Sequence, residues 1–323
     1  MTYKGRMEKR TKKRKKRFII IFPLLLILLS GLVYGSYLTY KAMAAAEEAR
    51  VELDRGDKSK LREEVVDPGK NNITILFLGI DDSESRGFGD KARTDAIMLA
   101  TFNRKDKSVK MLSIPRDSYV YQPDRDEYDK INHAHAYHGI DGAVNTVEDL
   151  LEIPVDYYVR MNFRAFIEVV EALGGIEVDV PVDLNEMDSK DNEGAIRLRK
   201  GYQRIDGEEA LALARTRKLD NDIERGKRQQ LIVQGIINEA ASVSSITKYG
   251  DVIDALGNNL TTNLTVGEML ALHKYATSGG KLNIESLNIE GYDDSSSGTY
   301  YYELDEASLE ETSQTLKEHL ELD

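Results

Sequence analysis

The chain contains no cysteine. Disulfides and thiolate metal sites are therefore excluded, which fits an extracytoplasmic bacterial protein. No internal repeat is visible, and no low-complexity tract apart from a basic run at the N-terminus. Histidine is scarce, five in 323 residues. Three of them, His133, His135 and His138, fall close together, but no cysteine or HExxH pattern accompanies them, so zinc is the weaker reading and structural imidazoles the stronger. Positive charge is outnumbered outside the tail. Residues 1–17 hold ten Lys or Arg against one Glu, a net +9, which leaves −21 for the rest of a chain whose total is −12. An acidic body argues against general nucleic-acid binding. The tail is too short for a helix-turn-helix domain, and anionic lipid headgroups explain its charge equally well.

What is present begins with Phe18 to Tyr40, a 23-residue run without a charge. As a helix it would be roughly 34 Å long, enough to cross a hydrocarbon core with some tilt. Tyr34, Tyr37 and Tyr40 cluster at its outer end, and the basic flank assigns residues 1–17 to the cytoplasm. The expectation is a single-pass signal-anchor in the cell membrane with the remainder outside. A cleaved signal peptide is the competitor, since Ala42, Ala44 and Ala46 would suit a peptidase. Residues 41–70 read as a stalk, a loose helix ended by Pro68-Gly69.

The body reads as an α/β fold, a layered α/β/α domain with a central mixed sheet. Ile73 to Ile80, Asp95 to Phe102 and Val109 to Ile114 predict three strands, the second and third antiparallel across a short turn. If the first strand lies beside the third, Asp81, Asp95 and Arg116 meet at one sheet edge. Arg116 also has a local alternative, a pair with Asp117. Further strands are expected at Val155 to Met161, Ile176 to Val180 and Leu282 to Ile289. Helices are expected from Gly142 to Leu151, Phe163 to Leu173, Gly207 to Arg215 and Asp222 to about Ala241, with another after Thr265. Residues 183–200 read as a polar loop, and 304–320 as an acidic, exposed closing helix. Residues 71–245 are taken as the catalytic domain and 246–323 as an extension packed on it.

Two groups of charge carry the chemistry. Arg215 to Gln230 (RTRKLDNDIERGKRQQ) is locally basic within an acidic body. On a helix, Arg225, Arg228 and Gln229 share a face. Guanidiniums gathered this way repel unless an anion lies between them, and their donor forks fit phosphate. A solvated helix with ordinary ion pairs is the alternative. Asp81 and Asp95 offer two carboxylates, the number magnesium prefers before water and substrate phosphate complete its shell. Their alternatives are caps or a pair with Arg93. A divalent ion plus several arginines suits transfer at a diphosphate. Lys130 and Asn132 are candidates to orient a phosphate or sugar.

GIDD at 79–82, RTDAIML at 93–99, SIPRD at 113–117, KINHAHAY at 130–137 and ALARTRKLDNDIERGKRQQ at 212–230 resemble the LytR-CpsA-Psr family. The basic tail and single anchor also match that family's layout. The resemblance implies a transferase that moves a glycopolymer, of teichoic acid or capsule type, from undecaprenyl diphosphate to a peptidoglycan hydroxyl, forming a phosphodiester. It implies Asp81 and Asp95 as ligands of Mg²⁺ or Mn²⁺. Arg116, Arg215, Arg217 and Arg225 would grip the diphosphate with Gln229 beside them, and Arg93 would orient an aspartate or touch a phosphate. Asp95, Arg116, Arg215 and Arg217 would be the catalytic set. An apolar pocket would hold the lipid, with lining residues that sequence cannot separate from core. The rival functions are a polyprenyl-diphosphate diphosphatase, a membrane-bound transcriptional attenuator and a noncatalytic glycolipid-binding module.

Overall fold

Continuous apolar stretches set the centre of the fold, as expected for strands buried on both faces. In a computed structural model of the chain, the described residues are 40, 44, 47, 49–80, 92–216, 222–242, 260–278 and 282–322. Residues 45–323 form one compact unit. The expected membrane run lies outside the described residues except for Tyr40. No helix among the described residues is long and apolar enough to cross a membrane.

In chain order the elements are β1 (Ile73–Ile80), β2 (Thr94–Asn103), β3 (Ser108–Ile114), β4 (Tyr119–Gln122), β5 (Glu127–Lys130), α1 (Ile131–Leu151), β6 (Tyr157–Asn162), α2 (Phe163–Ala172) and β7 (Ile176–Val180). There follow β8 (Leu184–Glu186), β9 (Ile196–Leu198), β10 (Gly201–Ile205), α3 (Gly207–Arg215), α4 (Asp222–Ser242), β11 (Leu260–Thr262), α5 (Val266–Thr277), β12 (Asn283–Asn288), β13 (Gly291–Asp294), β14 (Tyr301–Leu304) and α6 (Glu306–Leu320). The central sheet is mixed, in the order β11-β6-β1-β2-β3-β12. β1 is antiparallel to β2 and parallel to β6, while β3 is antiparallel to β2 and parallel to β12.

β1 therefore does not lie beside β3, contrary to the simplest sequence expectation. Both flank β2, and because each is antiparallel to it, their carboxyl ends still meet the start of β2 at one edge. The convergence of Asp95 and Arg116 survives by a different route.

The pleat sends alternate residues to opposite faces. Leu76, Leu78, Ile97, Leu99, Leu112 and Ile114 face a closed core completed by Val144, Val147 and Leu151 of α1 and Leu316 and Leu320 of α6. The opposite face carries Ile75, Phe77, Met98, Ala100, Phe102 and Met111 towards α4 and α5. α2, α3 and the β7–β10 hairpin share a smaller core with α4. Capping follows the sequence. Asp206 and Thr265 each close a capping box at the head of α3 and α5, and Gly174 and Gly175, at φ 79° and 83°, stop α2.

Four expectations need correction. Residues 183–200 contain the β8–β9 hairpin, whose Glu186 accepts from Thr216 Oγ1 at 2.6 Å. α6 is acidic outside, but its inner face is buried. The helix expected from Gly142 starts at Ile131 and kinks at His138 and Gly139, where Gly139 has φ 63°. Residues 50–70 are not a loose helix. They form turns strapped to the body, where Arg55 and Ser59 bind buried Glu148 and Arg62 binds buried Asp156.

Candidate active site

β2 reaches the sheet edge with one residue too many. Gly79 pairs with Ala96 and Ile80 pairs with Thr94, so Asp95 is skipped as a bulge. Strict alternation would group Asp95 with Ile97 and Leu99 on the closed face. The bulge exempts it and frees its backbone from the ladder. Both its polar groups are then used. Arg116 Nη1 donates to Asp95 Oδ1, and Arg225 Nη2 donates to the Asp95 carbonyl at 2.8 Å.

Pro115 ends β3 and turns Arg116 back towards that edge. The Arg116 side chain also reaches Asp117, Nε to Oδ2 at 3.3 Å, and Asp117 accepts from Lys130 Nζ at 2.9 Å. The local Arg116–Asp117 pair and the long-range pair with Asp95 thus coexist.

Arg225 owes its place to Gly226. A Cβ there would meet Ser113 Oγ at 2.5 Å, so only glycine lets α4 press this closely on β3. Gln230 fastens the contact by donating to the carbonyls of Met111 at 3.1 Å and Leu287 at 2.9 Å. Arg215 stands across the opening, its guanidinium 4.9 Å from the Phe163 ring centre and 3.6 Å from Asp191. Gln229 donates to Ala214 O at 3.3 Å.

Behind these groups lies a cavity of about 640 Å³, within the range of small-molecule sites. Asp95, Asn162, Arg215, Arg225 and Gln229 line its charged mouth, and Phe77, Met98, Phe102, Phe166 and Val169 are part of its apolar body. It follows β2 from Asp95 to Phe102, roughly 24 Å of strand. One stripe of α4 lines its length: Arg225 and Gln229 at the mouth, then Ile232, Val233, Ile236, Ile237 and Ala240. The spacing of 4, 3, 1, 3, 1 and 3 residues is that of a single helical face.

Of the residues anticipated from sequence, Asp95, Arg116 and Arg225 are in direct contact, and Arg215 and Gln229 line the same mouth. Arg93 is exposed just ahead of β2. Asp81 and Arg217 lie outside the described residues. Arg228 is a correction. Instead of sharing the phosphate-facing side with Arg225, it is buried and donates to Leu213 O at 3.3 Å and Thr216 O at 2.8 Å, closing the carbonyl end of α3. His135 and His133 take structural roles, bonding Ala92 O at 2.8 Å and Asp129 Oδ2 at 2.9 Å. Asn162, which caps α2 and lines the mouth, went unnoticed in the sequence; an Asn just ahead of the Phe163 helix is its signal.

The sequence profile of the LytR_cpsA_psr family matches residues 36–318. Polyisoprenyl-teichoic acid–peptidoglycan teichoic acid transferase TagT of Bacillus subtilis (strain 168) is 44% identical over 321 residues, 98% of each chain. A solved structure of TagT bound to LIIa-WTA superposes with a TM-score of 0.74 at 43% identity, covering 84% of this chain and all of that one. A second, the family protein YwtF (TagT) with bound octaprenyl pyrophosphate lipid, gives 0.69 at 40% identity with the same coverage.

Proposed function

The chain belongs to the LytR-CpsA-Psr family, and on that premise we propose that it transfers a teichoic-acid-type glycopolymer from a polyprenyl diphosphate to a peptidoglycan hydroxyl. The observation that carries this reading is an elongated apolar cavity opening on Asp95, Arg215, Arg225 and Gln229, with Arg116 bound to Asp95. A lipid tail needs the first part and a diphosphate the second.

In the reaction, the acceptor oxygen bonds to the phosphorus that carries the glycopolymer. The bond from that phosphorus to the bridging oxygen breaks, and polyprenyl phosphate leaves with the electron pair. The new link is a phosphodiester, and the hydroxyl proton passes to solvent. Charge grows on the bridging oxygen, so fixed guanidiniums there stabilise the transition state more than the ground state. Arg116 and Arg225 are preset by Asp95, Arg215 stands at the same mouth, and Arg217, outside the described residues, is the further arginine this reading calls on. Arg93 stands ahead of β2 as a further phosphate contact. A loose transition state asks little of a general base.

The donor set suits a hard cation. Asp95 gives oxygen at the mouth, and among the described residues no group of three His, Asp or Glu could hold a metal alone. Magnesium or manganese would take Asp95 and, from outside the described residues, Asp81, with substrate phosphate, and when bound it would neutralise phosphate charge. Residues 18–40 are assigned to the membrane, with the tail cytoplasmic and the body outside.

The test is turnover of a synthetic polyprenyl-diphosphate glycan by the full-length protein with peptidoglycan and Mg²⁺. Arg225→Ala is expected to lower transfer on the order of 100-fold. Conjugate formation at the wild-type rate by that variant would overturn the assignment, as would release of free glycan phosphate with no conjugate.

A further inference from the structure

From the charged mouth a second feature runs outward. Lys130, bound to Asp117 at 2.9 Å, also lies 5.5 Å from the Tyr300 ring centre and 5.6 Å from that of Tyr301. Tyr301 begins a ladder of rings. Its centre is 4.7 Å from that of Tyr119, which is 5.5 Å from Tyr128, which is 5.4 Å from Tyr121. The ladder crosses two hairpins. β4 and β5 set Tyr121 opposite Tyr128, and β14 is pinned beside them because Tyr302 N donates to Asp117 O at 2.9 Å.

Aromatic pairs across a hairpin stabilise it, and that alone would explain rings packed against each other. It does not explain why the ladder reaches the surface. Within it Tyr128 is 61% exposed and Tyr119, Tyr121 and Tyr301 are half-buried, while Tyr137 and Tyr300, outside the ladder, are 55% and 40% exposed. Large apolar side chains gathered on a surface mark a binding face. The chemistry of the face narrows the ligand. Asp126 accepts from the Tyr121 hydroxyl at 2.7 Å, Asp124, Glu127 and Asp129 lie on the same β4–β5 hairpin, and Arg125 is committed to Glu127, Asp129 and the Tyr137 face. Such a surface repels polyphosphates, nucleic acid and anionic headgroups. It suits a ligand with alternating apolar and hydroxylated faces.

The geometry points to a platform for the sugar rings of the acceptor glycan strand, with Tyr119, Tyr121, Tyr128 and Tyr301 as its floor. Axial C–H groups of an N-acetylhexosamine ring meet the negative face of a tyrosine, and carboxylates at the rim accept from its hydroxyls and amides. The ring spacing is comparable to that of successive sugars in an extended strand. The ladder ends at Lys130, which shares Asp117 with Arg116, so a strand lying on it delivers a hydroxyl towards the mouth. This rests on the proposed transfer for its purpose, but its binding step is measured separately.

The experiment is retention of full-length protein on glycan strands freed of peptide, alongside uptake of octaprenyl diphosphate. Tyr121→Ala/Tyr128→Ala is expected to weaken strand binding about tenfold, leaving lipid uptake within twofold. Tyr128→Phe keeps the ring face and is expected to bind as wild type. Wild-type protein that does not bind strands, a double variant that binds as well as wild type, or a Tyr128→Phe loss equal to that of the double variant would each overturn the platform. Failure of lipid uptake by wild-type protein would sink the transferase reading instead, and the strand measurement would still decide the platform.

Discussion

Along β2, Ile97 and Leu99 point to one side of the sheet and Met98, Ala100 and Phe102 to the other. The first side is filled by α1 and α6. The second holds a cavity of about 640 Å³ under α4 and α5. The same strands, with equally apolar side chains, serve a closed core and an open channel. What differs is the cover. α1 and α6 bring branched aliphatics into the sheet, whereas α4 and α2 present half-buried side chains across a gap. Stability is therefore concentrated on one face and ligand capacity on the other.

Truncation should break the comparison most sharply. Leu99 is fully buried in the closed core, and Leu99→Ala is expected to cost about 3–5 kcal/mol by denaturant unfolding. Ile237→Ala, facing the cavity, should cost less than about 2 kcal/mol because much of its contact is already missing. Equal losses would mean that the cavity face is packed as tightly as the core in solution.

Acid should weaken the closed face. His319 of α6 bonds Thr101 at 2.7 Å and Ser108 at 2.8 Å, and burial, helped by Lys110, lowers its pKa to about 4, with Asp106 and Glu285 opposing. The unfolded chain takes up this proton near pH 6.5 and the folded chain only near 4. The neutral imidazole's contribution is therefore complete above about pH 6.5 and lost as pH falls towards 4, a loss of roughly 3 kcal/mol. His319→Gln should flatten that part of the stability–pH curve. An unchanged slope would remove His319 as its cause.

The smallest effect sharpens the contrast by filling the channel. Ala240→Phe adds a ring at the far end of the α4 stripe. Octaprenyl diphosphate uptake should fall about tenfold while the melting temperature stays level or rises, since the ring enters open space. A fall in melting temperature with full lipid uptake would place the lipid elsewhere.

The contrast also explains what could be read from the sequence. Asp95 and Arg116 stood out because charge at the ends of apolar strands is rare and needs a reason, and Arg225 because it sits in a basic stretch of an acidic body. The three central strands were legible because their runs are long. The α4 stripe was not, because Ile232, Val233, Ile236 and Ile237 have the spacing of any core helix; only the missing cover makes them a lining. Arg225 and Arg228 are three residues apart and alike in sequence. One reaches the mouth and the other closes α3, and that choice depends on where α3 ends. β8 and β9 are three residues each in polar surroundings, too short to register as a period.

The bulge at Asp95 has a consequence for how this protein can be damaged. Its position is set by counting, since one surplus residue between Thr94 and Ala96 takes the carboxylate out of the alternation. An in-frame loss of a single codon there would restore an unbroken ladder. The product would be a smoother sheet without the carboxylate that binds Arg116 and the bulged carbonyl that binds Arg225. At this spot a tidy deletion is more harmful than an untidy substitution.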